Sequence, residues 1–229
     1  MKRVYILLCI FTLSLLIYGS YFGLKLAPPD IMMGDVQRIM YVHVPSAWMA
    51  LLAFTTTLVS SVLFLIRKDL KWDALAQASA ETGVFFNALL IALGSIWGKP
   101  TWGIWWTWDP RLTTAAIMLL AFSGYLIVRQ FIESEEQRAQ FAAVIAVIAY
   151  LDLPLVWFSV RFWRGLHQIQ SSPKTVDAEM VTALRLNAFA FLGYLILVIW
   201  RRFLDLRHRQ QKTVLEYSVL AGSPQIDNP

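Results

Sequence analysis

Two of the three histidines lie beside long apolar segments, without the neighbouring carboxylates or cysteines of a closed metal site. His43 directly precedes one apolar segment, and His167 follows another by a few residues. His208 lies among basic residues near the C-terminus, where we expect it to be solvated. The single cysteine, Cys9, has no partner thiol, so a thiolate metal site is not expected. Two imidazoles leave a zinc or copper site short of ligands, but they can bind one iron from opposite faces of a macrocycle.

A cluster of tryptophans lies between two other apolar segments. Its five members fall within twelve residues, at Trp97, Trp102, Trp105, Trp106 and Trp108. Tryptophan is enriched at membrane interfaces, and this explains two or three of them. The other tryptophans of the cluster favour a surface that buries a large flat apolar ligand. Glycine and proline residues beside them would let the chain fold back to form it. A porphyrin fits better than a quinone or a lipid, because those ligands give no reason for paired histidines.

Charged residues follow the tryptophans. Asp109 and Pro110 form a favourable helix start, because Asp accepts hydrogen bonds from free N–H groups and Pro has no N–H to satisfy. Arg111 would then lie in the first turn, where the helix dipole disfavours a positive charge. This placement indicates an anionic partner, and the forked donors of arginine match carboxylates such as haem propionates. Arg38, five residues before His43, is the second candidate for this role.

The elements that position these residues are predicted to be membrane helices. Hydrophobic residues make up 58% and charged residues 15% of the 229 residues, whereas soluble domains carry about 25% charged residues. The apolar runs reach the roughly 20 residues that a bilayer core requires, without the alternation of a β-barrel. We predict one all-α membrane domain over residues 1–229, with an uncleaved first span. The six transmembrane helices are predicted at about 4–24, 44–66, 81–98, 112–129, 141–160 and 183–200, with a tryptophan-rich outer loop at 97–111.

The basic residues predict the orientation of these spans. Twelve of the 20 Lys and Arg residues fall on the side that carries both termini, and seven fall in the loops on the opposite side. Basic residues concentrate in cytosolic segments, so both termini are predicted to be cytosolic. The loops with His43, the tryptophans and His167 would then face outward, which in a bacterium is the periplasm.

The segment 102–109 reads WGIWWTWD and resembles the WGxxWxWD signature of haem-handling membrane proteins. With the chain length, the six predicted spans and the outer histidines, the sequence resembles the haem exporter protein C family of bacterial cytochrome c maturation. The likeness extends from about Arg38 to Arg202. It implies a location in the bacterial inner membrane and a role in holding haem on the periplasmic face.

The resemblance also implies roles for individual residues. It makes His43 and His167 the axial ligands of a transiently bound b-type haem. Arg38 and Arg111 match the propionates, although charge supports this assignment as much as the motif does. A platform for haem and its recipient is implied for Trp102, Trp105, Trp106, Trp108 and Asp109.

The implied partners are a periplasmic haem chaperone, ATP-binding cassette transporter subunits, a small single-span membrane subunit and membrane lipid. No partnership with nucleic acid is expected. The outer loops hold no acid–base pair or nucleophile, and the chain has no phosphate-binding glycine loop. We therefore expect that the chain is not an enzyme and that a partner hydrolyses ATP.

Two other functions fit parts of the sequence. A b-type cytochrome subunit for quinol-linked electron transfer would also bind haem, but usually between histidines well inside the spans. A small-solute transporter needs a polar path through the membrane, and only Asp152, two residues before Pro154, suggests one. No chain of acids accompanies Asp152, so a local structural role is favoured.

Overall fold

The computed structural model describes residues 2–163, 165–167 and 177–222. Within these residues the regular structure consists of helices. A π-helical turn, Phe22–Leu26, follows the first helix, and a 3-10 turn, Asp35–Ile39, precedes the second. The α-helices are α1 (Lys2–Tyr21), α2 (Met40–Arg67), α3 (Leu70–Trp102), α4 (Pro110–Val128), α5 (Glu135–Tyr150), α6 (Asp152–Phe162) and α7 (Ala178–Gly222).

Six helical segments in the described chain are long and apolar enough to cross a membrane, which confirms the predicted class. Their bounds are Arg3–Leu26, Asp35–Arg67, Leu70–Trp102, Pro110–Val128, Glu135–Ser159 and Ala178–Thr213. The placement of the termini in the cytosol, and hence the orientation, stays a prediction.

Helix α3 is longer than predicted, because it runs from Leu70 to Trp102 and not from 81 to 98. Its polar residues find partners on other helices, which reduces the cost of their burial. Glu81 accepts two hydrogen bonds from Arg202 of α7, at 2.6 and 2.9 Å. The buried Asn87 side chain donates to a backbone carbonyl of α4 at 3.1 Å.

The segment predicted as an outer loop at 97–111 is therefore shorter. Helix α3 continues through Trp102 and ends at Gly103, which has a positive φ of 79°. Glycine adopts this conformation without steric cost, and it often ends helices in this way. Helix α4 begins at Pro110 after the N-cap residue Asp109, as the sequence predicted. Only residues 103–109 connect the two helices.

The predicted fifth span is divided into α5 and α6 by a break at Leu151. Pro154 explains the position of the break. Its ring lacks an N–H and clashes with the carbonyl four residues earlier, at Tyr150, where α5 ends. Asp152 is the first residue of α6 and lies at this break, in keeping with the predicted local structural role.

The core lies where α2 and α3 pack against α4, α5 and α7. Phe54 of α2 and Phe122 of α4 stack there with ring centroids 3.9 Å apart. Helix α1 packs at the edge of the bundle against α7, and Asn187 of α7 donates to the Gly19 carbonyl of α1 at 3.0 Å. Because α2 and α3 run antiparallel, the start of α2, the end of α3 and the start of α4 meet at one end of the bundle. We call it the histidine end.

A buried ion pair ties α3 to α4 near the opposite end. Arg129 donates two hydrogen bonds to Asp73, at 2.6 and 2.8 Å, and both side chains are about 5% exposed. Arg129 also donates to Gln77 at 2.8 Å. The pair therefore satisfies two charges that would otherwise be desolvated without a partner.

We expect Arg129→Ala to lower the free energy of unfolding by about 3–5 kcal/mol, because it leaves the Asp73 carboxylate buried and unpaired. Denaturant titration of the purified protein in detergent measures this loss. Arg201→Ala is the matched control, because Arg201 pairs with Asp205 at 3.2 Å with side chains 64% and 37% exposed. Such a pair contributes about 0–1 kcal/mol. Equal losses in the two variants would contradict the expectation.

Candidate functional site

His43 lies in the first turn of α2, and its ring packs against α3. It makes an edge-on contact with Trp97, with ring centroids 5.5 Å apart and planes at 78°. A Cβ placed on Gly94 would lie 3.0 Å from Cε1 of His43. Nδ1 of His43 is buried near the Leu90 carbonyl without forming a hydrogen bond. The imidazole is thus held mainly by packing against α3, and its Nδ1 makes no hydrogen bond of normal geometry among the described residues.

His167 approaches the same end of α3 from the connection that follows α6. Its ring contacts Trp102 edge-on, with centroids 5.0 Å apart and planes at 65°. Its Nδ1 lies 3.5 Å from Oδ1 of Asp109. Burial lowers the pKa of His167 below its ordinary value, and the nearby Asp109 carboxylate partly offsets this effect. The imidazole is therefore neutral near pH 7, and a neutral imidazole is the form that binds metals.

The fold brings the two histidines to one place although they are far apart in the sequence. His43 lies close enough to both His167 and Arg111 for their charges to influence one another. The aromatic partners of the two imidazoles, Trp97 and Trp102, both belong to the end of α3. This helix end is thus the shared support of the two predicted ligands.

The two arginines predicted to bind propionates differ in their environments. Arg38 already pairs with Asp35 at 2.8 Å and donates to the carbonyls of Gly23 and Ala27 after α1. These contacts favour a structural role for Arg38. The Arg111 side chain is partly buried, and within the described residues it makes no hydrogen bond or ion pair. Arg111 therefore has free donors at the histidine end.

The tryptophans that follow α3 form an exposed surface beside the histidines. Trp105 is 57% and Trp108 80% exposed. Trp106 is partly buried and contacts Trp108 edge-on, with centroids 5.8 Å apart. The narrow gap lined by Asp109, Arg111 and Trp163 has no room for a water molecule and therefore none for a porphyrin within the described residues. A large flat ligand would therefore lie against this surface and stay partly open to the surroundings.

Asp109 lies beneath this surface, although the sequence analysis grouped it with the exposed platform. It is 7% exposed. Oδ1 accepts a hydrogen bond from the Arg111 backbone N–H at 2.9 Å, and Oδ2 accepts one from the Leu166 N–H at 3.1 Å. The carboxylate thus joins the start of α4 to the segment that carries His167.

The sequence predicted no individual role for three residues that shape the site. Gly94 and Gly165 give room to His43 and Asp109, and Trp97 braces His43. Gly94 did leave a signal, because glycine within a helical run often marks a close approach of a neighbouring group. Trp97 belonged to the predicted cluster, but nothing in its spacing paired it with a histidine.

These features define a polytopic helical membrane protein with two imidazoles and an open indole surface at one end. The haem exporter protein C family model matches residues 1–216 of the chain. The chain therefore belongs to the haem exporter protein C family.

Three relatives show how far the similarity extends. The haem exporter protein C of Bradyrhizobium diazoefficiens is 33% identical over 184 residues, which cover 79% of this chain and 70% of that protein. The haem exporter protein C of Escherichia coli is 29% identical over 219 residues, or 94% and 89% of the two chains. A putative cytochrome c biosynthesis ccmC-like mitochondrial protein of Marchantia polymorpha is 37% identical over 151 residues. That match covers 66% of this chain and 64%, just under two thirds, of the Marchantia protein.

Proposed function

We propose that this chain is an inner-membrane protein that handles haem in cytochrome c biogenesis, and that it binds haem at the histidine end. The observation that carries the proposal is the convergence of His43 and His167, each braced by a tryptophan of α3. Membership of the haem exporter protein C family supports haem as the ligand.

Haem would be the cargo of this site and not a resident cofactor. His43 and His167 would supply the two axial ligands. Nδ1 of His43 makes no hydrogen bond among the described residues, and Asp109 faces Nδ1 of His167, which leaves Nε2 of that ring for the iron. Arg111 would neutralise a propionate with its free donors. The indoles after α3 would cover part of the porphyrin, whose burial contributes about 25 cal/mol per Å² of apolar surface.

The open surface suits transfer better than storage. Trp105 and Trp108 are exposed beside the histidines, so bound haem would keep one edge accessible to a recipient. We propose that the recipient is a periplasmic haem chaperone, and that the histidine end faces the periplasm in accordance with the predicted orientation. ATP-binding cassette subunits and a small single-span subunit would complete the assembly and supply ATP hydrolysis.

A handover experiment tests this function. The detergent-purified chain is loaded with haem and mixed with purified apo-chaperone, and the haem in each protein is followed by absorption after separation. We expect haem to leave this chain and appear on the chaperone. Haem that stays bound and cycles reversibly with a quinol would instead support an electron-transfer subunit and contradict the proposal.

We expect Gly94→Ala to lower the haem content of the purified protein and Gly94→Val to lower it further. The reason is that an added Cβ would lie 3.0 Å from Cε1 of His43 and would displace the imidazole. Haem content is measured by the pyridine haemochrome method. Gly124→Ala is the matched control, because a Cβ there meets no atom within 4 Å. Full haem content in Gly94→Val would show that His43 does not need this packing.

A further inference from the structure

We propose that Asp109 is a positioning residue for His167, acting through Nδ1 of the imidazole to present Nε2 to the cargo. The inference rests on the proposed haem-binding function for the role of Nε2, but the contact with Asp109 belongs to the protein itself. It assigns the buried aspartate of the tryptophan-rich motif to the support of a ligand, and not to the exposed platform.

The Asp109 carboxylate is buried and faces the His167 imidazole. It is 7% exposed, and its Oδ1 lies 3.5 Å from Nδ1 of His167. That nitrogen is buried and makes no hydrogen bond in the described part of the chain, so Asp109 is the acceptor that faces it. The distance is longer than a typical N–H···O hydrogen bond of about 2.7–3.2 Å. Hydrogen bonds at functional sites are often long without the ligand and shorten when it binds.

The backbone before His167 brings this histidine to the Asp109 carboxylate. The Leu166 N–H donates to Oδ2 of Asp109 at 3.1 Å, one residue before the histidine. A Cβ on Gly165 would overlap the same oxygen. Glycine is therefore required at 165 for this approach, and the backbone at 165–167 is anchored directly to Asp109.

The Asp109 carboxylate also influences the tautomer of the His167 imidazole. A carboxylate that faces Nδ1 favours the tautomer with the proton on Nδ1, which leaves the lone pair on Nε2. Metal-ligating histidines usually donate their other N–H in this way, which fixes the ring and increases its electron donation. Asp109 would thus determine both the orientation of the His167 ring and the strength with which its Nε2 donates electrons to the iron.

The competing explanation is that Asp109 only begins α4. Its Oδ1 does accept the Arg111 N–H at 2.9 Å. The chain contains a matched helix cap: Asp69 begins α3 and accepts the Lys71 N–H, also at 2.9 Å, and its second oxygen pairs with the Lys71 ammonium and, within the described residues, with no histidine. Asp69 lies away from the histidine end, so a comparison of the two residues separates capping from positioning.

The test compares Asp109→Asn, Asp69→Asn and Gly165→Ala with the wild type, using protein labelled with ¹⁵N in histidine. Without haem, the ¹⁵N chemical shifts of the His167 imidazole report its tautomer. The His167 signals are assigned as those that disappear in His167→Ala. With haem, redox titration reports the midpoint potential and equilibrium titration reports the affinity. Asparagine keeps a favourable helix cap in both positions, so the comparison separates the change of a helix cap from the loss of the carboxylate that faces His167.

We expect wild-type His167 to carry its proton on Nδ1, and we expect Asp109→Asn and Gly165→Ala to reduce this tautomer. Both variants should raise the midpoint potential and weaken haem binding by about 10–100-fold, as for other outer-shell partners. Asp69→Asn should change none of these. An unchanged tautomer and potential in Asp109→Asn would overturn the inference and leave the proposed function intact. Failure of the wild type to bind haem would instead refute the proposed function, and the tautomer measurement would still decide the role of Asp109.

Discussion

Replacing either His43 or His167 with alanine is expected to weaken haem binding by more than the roughly 10–100-fold that loss of an outer-shell partner causes. The expected loss of affinity is larger because each substitution removes a proposed ligand and not a supporting group. Both imidazoles are braced by tryptophans of the same helix, so the remaining histidine should stay in place and give a five-coordinate iron. The double variant should contain no haem. Titration of the apo-protein with haem, followed by absorption, measures these affinities.

His208→Ala is the control for this experiment, because His208 is the third histidine of the chain and is exposed. It should bind haem like the wild type. Unchanged affinity in His43→Ala and His167→Ala would refute the axial-ligand assignment. Loss of haem in only one of them would leave a single protein ligand.

Replacing Trp108 with alanine is expected to slow haem transfer to the chaperone by more than tenfold, with a smaller effect on haem content because the other indoles still cover the porphyrin. Trp108 is 80% exposed and braces neither histidine, so its indole is available to a partner. A tryptophan at the centre of a protein interface can contribute about 2 kcal/mol or more to binding, and about 1.4 kcal/mol corresponds to a tenfold change. The rate is measured in the handover experiment with the chaperone below saturation.

Two other aromatic substitutions test the specificity of this effect. Phe131 is also 80% exposed, but it follows α4 at the opposite end of the bundle, so Phe131→Ala should leave transfer unchanged. Trp97→Ala should instead lower haem content, because Trp97 packs against His43. Equal transfer rates in wild type and Trp108→Ala would show that the exposed indole is not part of the recipient surface.

Much of the fold was predictable because membrane helices depend on local composition. Six long apolar segments predicted six spans, and Asp109 with Pro110 predicted the start of α4, which the structure confirms. The ends of α3 were not predictable in this way. Glu81 interrupts the apolar pattern, and its partner Arg202 is 121 residues away in the sequence. Such a pair exists only after the helices have packed.

The site was predictable in its residue types and less so in its arrangement. The positions of His43 and His167 beside span ends placed them on one side of the membrane, because alternate loops share a side. Charge alone gave Arg38 and Arg111 the same role. Their difference arises from tertiary contacts, since the carbonyls after α1 accept hydrogen bonds from Arg38, whereas the Arg111 side chain makes none among the described residues. The approach of Gly165 to Asp109 likewise joins segments that have no sequence pattern in common.

The central claim is that two imidazoles from the histidine end bind one haem iron. Electron paramagnetic resonance of the ferric, haem-loaded wild type tests it most directly, beside His43→Ala and His167→Ala with and without added imidazole. We predict a low-spin signal of a six-coordinate iron in the wild type, a high-spin signal in each variant, and recovery of the low-spin signal when imidazole fills the space left by the side chain. A low-spin wild-type signal that persists in both variants without imidazole would contradict the claim.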